Sequence, residues 1–286
     1  MSNKSHFFRQ SNGDAFIATF RTTSVNESIT LPYVSNGTYN GTIDFGDGTV
    51  VANTYANRTH TYTTDGFYTV AILGDCVGWN FGLVADSVSK IYDIVNWGIG
   101  FQLISSNDGY FQNCVNLDIT ATDVLDLSNC QRFDSFFRGC NNLVFNNSIN
   151  NWDTSNIINF KFMFNDCFLF NQPLNNWDTS FAESFNRIFF NSTIFNQDIS
   201  NWDYSNVDVA NGLDAILFIV SSSYNPSYYD NLLIKWDSSP SSGGLVSSSP
   251  IGLTRLTVKY TSNGASARQS IIDNNKIGDL QDGGQI

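Results

Sequence analysis

The stretch "NNWDTS" at Asn150–Ser155 recurs unchanged at Asn175–Ser180, and a worn copy, "SNWDYS", occupies Ser200–Ser205. Anchored on aspartate, the repeat runs Asp126, Asp153, Asp178 and Asp203, at intervals of 27, 25 and 25 residues. Fourteen residues after the first three stand Cys140, Cys167 and Ser192, with Leu217 at the equivalent place in the fourth. Cys130, Ile157, Ala182 and Val207 make one apolar column, and Phe133, Phe160, Phe185 and Ala210 the next. Phe136, Met163, Ile188 and Leu213 make a third; Phe137, Phe164 and Phe189 make a fourth that ends in Asp214.

Within one copy these positions fall at i, i+3, i+6, i+7 and i+10, the spacing of the apolar face of a short helix or helical turn. The other half, as in "FNQPLNNWD" (Phe170–Asp178), separates Phe170, Leu174 and Trp177 by polar residues. That suits a short strand followed by a turn, with Pro173 near its edge. A strand and a helical turn in every 25 residues fit the leucine-rich-repeat period of about 20 to 29. One such unit cannot bury its own apolar side, so coil must stack on coil to make a core. Trp152, Trp177 and Trp202 then form an internal ladder with neighbours one strand spacing apart, about 4.8 Å. The Asp and Thr or Ser that follow can make turn hydrogen bonds or cap the helical turn. The alternative is an exposed tryptophan platform on which sugars stack. A weaker earlier copy covers Trp97, Ile104, Tyr110, Phe111 and Cys114.

Upstream, residues 15–88 carry another pattern. "FIATFRT", "ESITLPYV", "YNGTIDFGDGTVV" and "HTYTTDGFYTVAILG" are alternating, β-branched and aromatic runs punctuated by Gly, Asn and Asp, as in an antiparallel sandwich of short strands. "GDGT" (Gly46–Thr49) and "TDGF" (Thr64–Phe67) read as hairpin turns. The repeats fill 89–220. In the capping region, 221–286, an amphipathic segment holds Leu232, Leu233 and Trp236, and Pro240–Pro250 is a loop. "LTRLTVKY" reads as a terminal strand and "ASARQSIIDNNKIGDL" as a last helix. A solenoid needs atypical end units over its open core. The fold class expected is therefore mainly β, a sandwich followed by a short α/β solenoid with a C-terminal cap.

The bulk numbers exclude more than they assert. At 286 residues the chain can build a sizeable core, and 42% hydrophobic content is too high for a disordered protein. A net charge of -12, with its 14 Lys and Arg scattered, argues against a nucleic-acid groove. No stretch approaches the roughly eighteen apolar residues of a membrane span. His6 and His60 are the only histidines, which leaves little room for a Ser-His-Asp or Cys-His arrangement, and His60 reads as structural. Zinc-ligand spacings and phosphate-cradling loops are missing from the sequence. Cys114, Cys140 and Cys167 share one column and read as buried, reduced thiols, with Cys76 and Cys130 as small core hydrophobes. Asp44 and Asp47 in "DFGDG" suit either a turn or a calcium ion. No catalytic residue, cofactor or metal ligand is assigned. Glu27 and Glu183 are the only glutamates, so a glycan-cleaving pair would have to come mostly from aspartates.

"KIYDIVNWG" (Lys90–Gly98), the run from Tyr110 to Cys140, "FNQPLNNWDTS" and "FNQDISNWDYSNV" together resemble the BspA-like leucine-rich-repeat surface proteins. The ending "YYDNLLIKW", "SARQSIIDN" and "DGGQI" is similar to that family's C-terminal cap. "IDFGDGT" and "HTYTTDGFYTVAI" are similar to a PKD-like immunoglobulin-type module. The resemblance implies a non-enzymatic adhesive or recognition protein, displayed on bacterial cells or in phage virions. The start "MSNKSHFFRQSNGD" has no apolar region of signal-peptide length. The expectation that follows is a virion surface protein (spike, fibre or capsid decoration) for host recognition or particle architecture, anchored to other virion proteins through residues 1–14. A homo-oligomer, a host glycan or protein partner, no nucleic acid and no membrane insertion belong to the same expectation. The alternatives are a bacterial cell-surface adhesin and a glycan-cleaving spike enzyme.

Overall fold

The computed structural model describes residues 13–104, 108–207, 224–238, 258–274 and 282–286. Most of the expected N-terminal anchor lies outside them. So do Ala210, Leu213, Asp214 and Leu217 of the fourth copy, the Pro240–Pro250 loop and most of the "LTRLTVKY" strand.

The protein is mainly β. A six-stranded sheet has β1 (Phe16–Thr22) and β7 (Gly66–Leu73) at its centre, paired antiparallel with Thr19 opposite Thr69. Outward from β7 lie β4 (Thr42–Asp44) and β5 (Val50–Ala52); outward from β1 lie β9 (Ile91–Asn96) and β11 (Asp118–Ile119). A three-stranded sheet joins β3 (Tyr33–Tyr39), β8 (Cys76–Trp79) and β10 (Phe101–Gln102), and a two-stranded one joins β2 (Glu27–Thr30) and β6 (Thr59–Tyr62). The period of two in "FIATFRT" puts Phe16, Ala18 and Phe20 in the core. Phe16 stacks on Phe101 at 4.3 Å and tilts against Trp79 at 5.0 Å, so the two larger sheets meet over aromatic rings.

"GDGT" closes the β4–β5 hairpin, with the Phe45 amide donating to the Thr49 carbonyl at 3.0 Å. "TDGF" does not close a hairpin. It carries the chain from β6, paired with β2, to β7, paired with β1 and β4, and so changes sheets. The strands on either side are pulled apart by the core: Tyr62 is buried, and its hydroxyl donates to the Phe45 carbonyl.

Both larger sheets reach into the repeats. β9 pairs antiparallel with β1 and, on its other edge, parallel with β11, while β10 pairs parallel with β8. A parallel bridge joins Gln102 to Asp126, and further bridges run from Arg132 to Asn159 to Ser184 in the register that the 27- and 25-residue spacings predict.

The coils are not built of helices. Expectation and structure part here, and the backbone gives the reason. The turn side of each coil holds two residues at positive φ, four apart: Gly109 and Asn113, Ser135 and Gly139, Phe162 and Asp166, Arg187 and Asn191, with φ between 53° and 82°. A left-handed residue ends a right-handed turn, so each coil makes short successive turns instead of one helix. Alternate amides then point along the stack. Phe133, Ser135, Phe137 and Gly139 donate to the carbonyls of Asn159, Lys161, Met163 and Asn165 at 2.7–2.9 Å. Phe160, Phe162, Phe164 and Asp166 repeat this toward Ser184, Asn186, Ile188 and Phe190. The amides between them close turns inside the coil, as Phe136 does onto Phe133 and Cys140 onto Phe137.

The expected strand at Phe170–Asp178 is also absent. A turn from Leu174 to Trp177 stands there, and in the coil before it a 3-10 turn, Asn147–Asn151, capped by the Asn146 side chain. Side-chain amides make the contacts between coils on this side: Asn146 Nδ2 donates to the Ala121 carbonyl, and the Asn196 amide donates to Asn171 Oδ1, both at 2.8 Å. Phe111, Phe137, Phe164 and Phe189 stack in sequence at 5.6–5.9 Å through the interior.

Helix α1 (Pro226–Ser238) begins where the asparagine ladder ends, with the Asn225 amide on Asn196 Oδ1. It buries Leu232, Leu233 and Trp236, the last against Tyr204. Helix α2 (Ser262–Asp273) packs on it, and its N-cap Thr261 donates both amide and hydroxyl to the buried Asp230 carboxylate. No helix of the described residues is long and apolar enough to cross a membrane.

Candidate functional site

The repeated Asn-Trp-Asp side is a structural rail. Asp126, Asp153, Asp178 and Asp203 each accept, through Oδ1, the amide two residues on, at 2.8–3.1 Å. This is the turn that a short carboxylate favours. Their Ser155 and Ser180 partners hold the Asp153 and Asp178 carboxyls below the ordinary range. Thr154 and Thr179 reach the next coil, donating to the Asp178 and Asp203 carbonyls. The tryptophans face inward. Trp177 and Trp202 stack at 6.0 Å, and their indole N–H groups donate to Ile149 and Leu174 of the preceding coil. Trp152 instead meets Trp97 edge-on at 6.1 Å. At 3%, 4% and 0% exposure, Trp152, Trp177 and Trp202 leave no ring face for a sugar, and the platform alternative falls. The thiol column is equally interior: Cys140 donates to Phe111 and Cys167 to Phe137, and Ser192 makes the same bond to Phe164 in the next coil. All five cysteines are free, and burial pushes their thiols up.

The "DFGDG" carboxylates are taken up locally. Asp44 accepts the Gly46 amide, and Asp47 accepts the Thr49 amide and lies 2.8 Å from His60 Nε2. Burial raises the Asp47 carboxyl, but His60 and Thr49 together bring it below the ordinary range. His60 stacks on Phe45. Among the described residues no group of three His, Cys, Asp or Glu could hold a metal ion. Glu27 is bound to the Thr23 amide and Lys90, whereas Glu183 is exposed at the edge of its coil.

The outward side of the turns is different in kind. Every Lys and Arg between residues 108 and 207 stands there: Arg132, Arg138, Lys161 and Arg187. The register makes three rows. Asp134, Lys161 and Asn186 form one, Ser135, Phe162 and Arg187 the next, and Arg138, Asn165 and Phe190 the third. Arg138 and Arg187 lie over the Phe162 ring at 5.5 and 5.9 Å, and Arg187 also over Phe190 at 5.5 Å. Arg132 bridges two carboxylates, Asp134 at 3.1 Å and Asp108 at 3.8 Å. Asp134 is buried. Desolvation and the Asp108 charge raise its carboxyl against the pull of Arg132, and its Oδ2 lies off any hydrogen-bond direction. The sequence reading missed this face, although the confinement of all four cations to a few columns was visible in it.

Residues 106–216 match the family described as "Mycoplasma protein of unknown function, DUF285". The match spans both the rail and the turn face, and it is consistent with the BspA-like resemblance of the coils. No curated protein and no solved structure matches the chain.

Proposed function

We propose that this chain is a non-enzymatic surface protein: a BspA-like leucine-rich-repeat solenoid with a PKD-like module before it, presenting a rigid face for recognition or adhesion. One observation carries the reading. The rail, the thiol column and the rings are occupied in holding the coils together, while the turn face presents patterned Arg and Phe side chains outward. Backbone bonds between coils fix the spacing of those rows, so little ordering cost remains for a partner to meet. The place of display belongs to the proposal too: the surface of a virion, as spike, fibre or decoration, or else a bacterial cell surface. Weak sites gain by copy number in either setting. Saturable binding of the labelled intact chain to whole cells or a glycan array is expected. Proteomics of purified particles distinguishes virion from cell. A chain that binds no cell and no glycan, and is found on neither, contradicts the reading.

One observation favours a second reading. Asp108 and Asp134 flank Arg132 with unequal environments, one exposed and one buried with a raised carboxyl, the division of labour that glycan cleavage uses. New reducing ends from surface polysaccharide, lost in Asp134→Asn, would establish it.

A further inference from the structure

We infer that Arg138 and Arg187, held on either side of one phenylalanine in the turn face, form a subsite for the carboxylate of an acidic sugar. The inference rests on the recognition reading above and names the class of ligand that face takes. Arg138 belongs to one coil, Phe162 to the next and Arg187 to the one after, so the pair spans two coil spacings, about 10 Å. Both guanidinium groups lie within 6 Å of the same ring, both side chains are exposed, and neither has an ion pair among the described residues. Two like charges gathered over one ring repel each other. Among the described residues neither has a carboxylate partner, in a chain with 26 acidic residues. Each guanidinium lies near the ring and carries an N–H fork of the kind that takes a carboxylate in bidentate fashion.

The surroundings favour a sugar over an acidic peptide. Phe190, 36% exposed beside Arg187, offers an apolar face for the C–H side of a pyranose ring. An acidic sugar joins a carboxylate for the arginines to a C–H face for Phe190 in one ring, whereas an acidic peptide side chain offers the carboxylate alone. Along the stack the chain would therefore bind a carboxylated polysaccharide segment, with one carboxylate between the two arginines.

The test measures binding of the intact chain to oligogalacturonate, hyaluronan and alginate oligosaccharides, and to methyl-esterified oligogalacturonate as the neutral control. At least one carboxylated probe should bind, esterification should abolish binding to oligogalacturonate, and added salt should weaken the interaction. Arg138→Gln and Arg187→Gln should each weaken binding several-fold, and the double variant about ten-fold or more, with the melting temperature unchanged because both side chains are exposed. If none of the carboxylated probes binds, the inference falls. Binding to cells or glycans that the double variant retains in full also overturns it, while the recognition reading stands. A chain that binds no cell and no glycan removes both. Equal binding of polyglutamate with the same losses reassigns the face to an acidic protein. Dissociation of an oligomer by the double variant reassigns it to a second copy of the chain.

Discussion

Asp178 has a single clear task, and its chemistry can be followed through pH. The Ser180 side chain and then its amide, contacts made only in the folded chain, place the folded titration of the Asp178 carboxylate below the unfolded one. The stability it supplies is complete above the unfolded value and is lost as pH falls through the folded value. Asp153 behaves alike through Ser155. The double variant Asp153→Asn/Asp178→Asn keeps the turn geometry, because an amide oxygen also accepts, so its urea-unfolding free energy should fall less steeply between neutral pH and pH 3 than wild type. Asp178→Ala should cost about 0.5–1.5 kcal/mol at neutral pH, the net range for one lost hydrogen bond at an exposed turn. The thiols give a second check at this scale. All five are buried and shifted upward, so a disulfide reagent should titrate none in the native protein and all five in denaturant. These residue roles were legible in the sequence, since a short acid two places before a serine names its own turn.

The elements were legible only in part. Spacings of i, i+3, i+6 and i+7 serve a helix and a run of three-residue turns equally well, because both bring every third or fourth side chain inward. What separates them is which residues stand at the joints. Gly139, Asp166 and Asn191, with Asn113 before them, fill one column with types that tolerate positive φ. Ser135, Phe162 and Arg187 fill the other joint with residues that carry no such mark, and so the sequence could not announce it. The column predicts its own tolerances. Gly139→Ala puts a Cβ 2.7 Å from Asn113 Oδ1 at φ 76° and should destabilise by about 1–2 kcal/mol in thermal unfolding. Gly139→Asn, which adds polar tolerance of that φ, should cost less than Ala, and Asn191→Gly should lie within about 1 kcal/mol of wild type. A reversed order would mean that the joints are not left-handed in solution. The Asn-rich half misled in another way. Its strand-like alternation serves side-chain amides that bond the next coil, which replaces the backbone ladder that a strand would have used.

At the scale of the molecule, the sheets and the coils share one core. β9 bonds the antiparallel β1 on one edge and the parallel β11 on the other, and Phe16, Trp97 and Phe101 pass into the ring stack of Phe111 and Phe137. The change of pattern near residue 88 was plain in the sequence, but β9's double pairing was not, because the partner of each edge lies far away along the chain. A stack held by neighbour contacts loses its neighbours when one coil fails. Phe164→Ala, which removes a ring between Phe137 and Phe189, should therefore cost about 3–5 kcal/mol and lower the denaturation midpoint seen by tryptophan fluorescence and by far-UV circular dichroism together. The claim beneath all of this is that alternate amides of the turns bond the following coil, which makes an irregular-looking surface rigid. Residue-resolved amide hydrogen exchange of the native chain tests it most directly. Phe133, Ser135, Phe137, Phe160, Phe162 and Phe164 should exchange as slowly as the amides of β1 and β7, and exchange of these six amides at the rate of exposed loops would contradict the account.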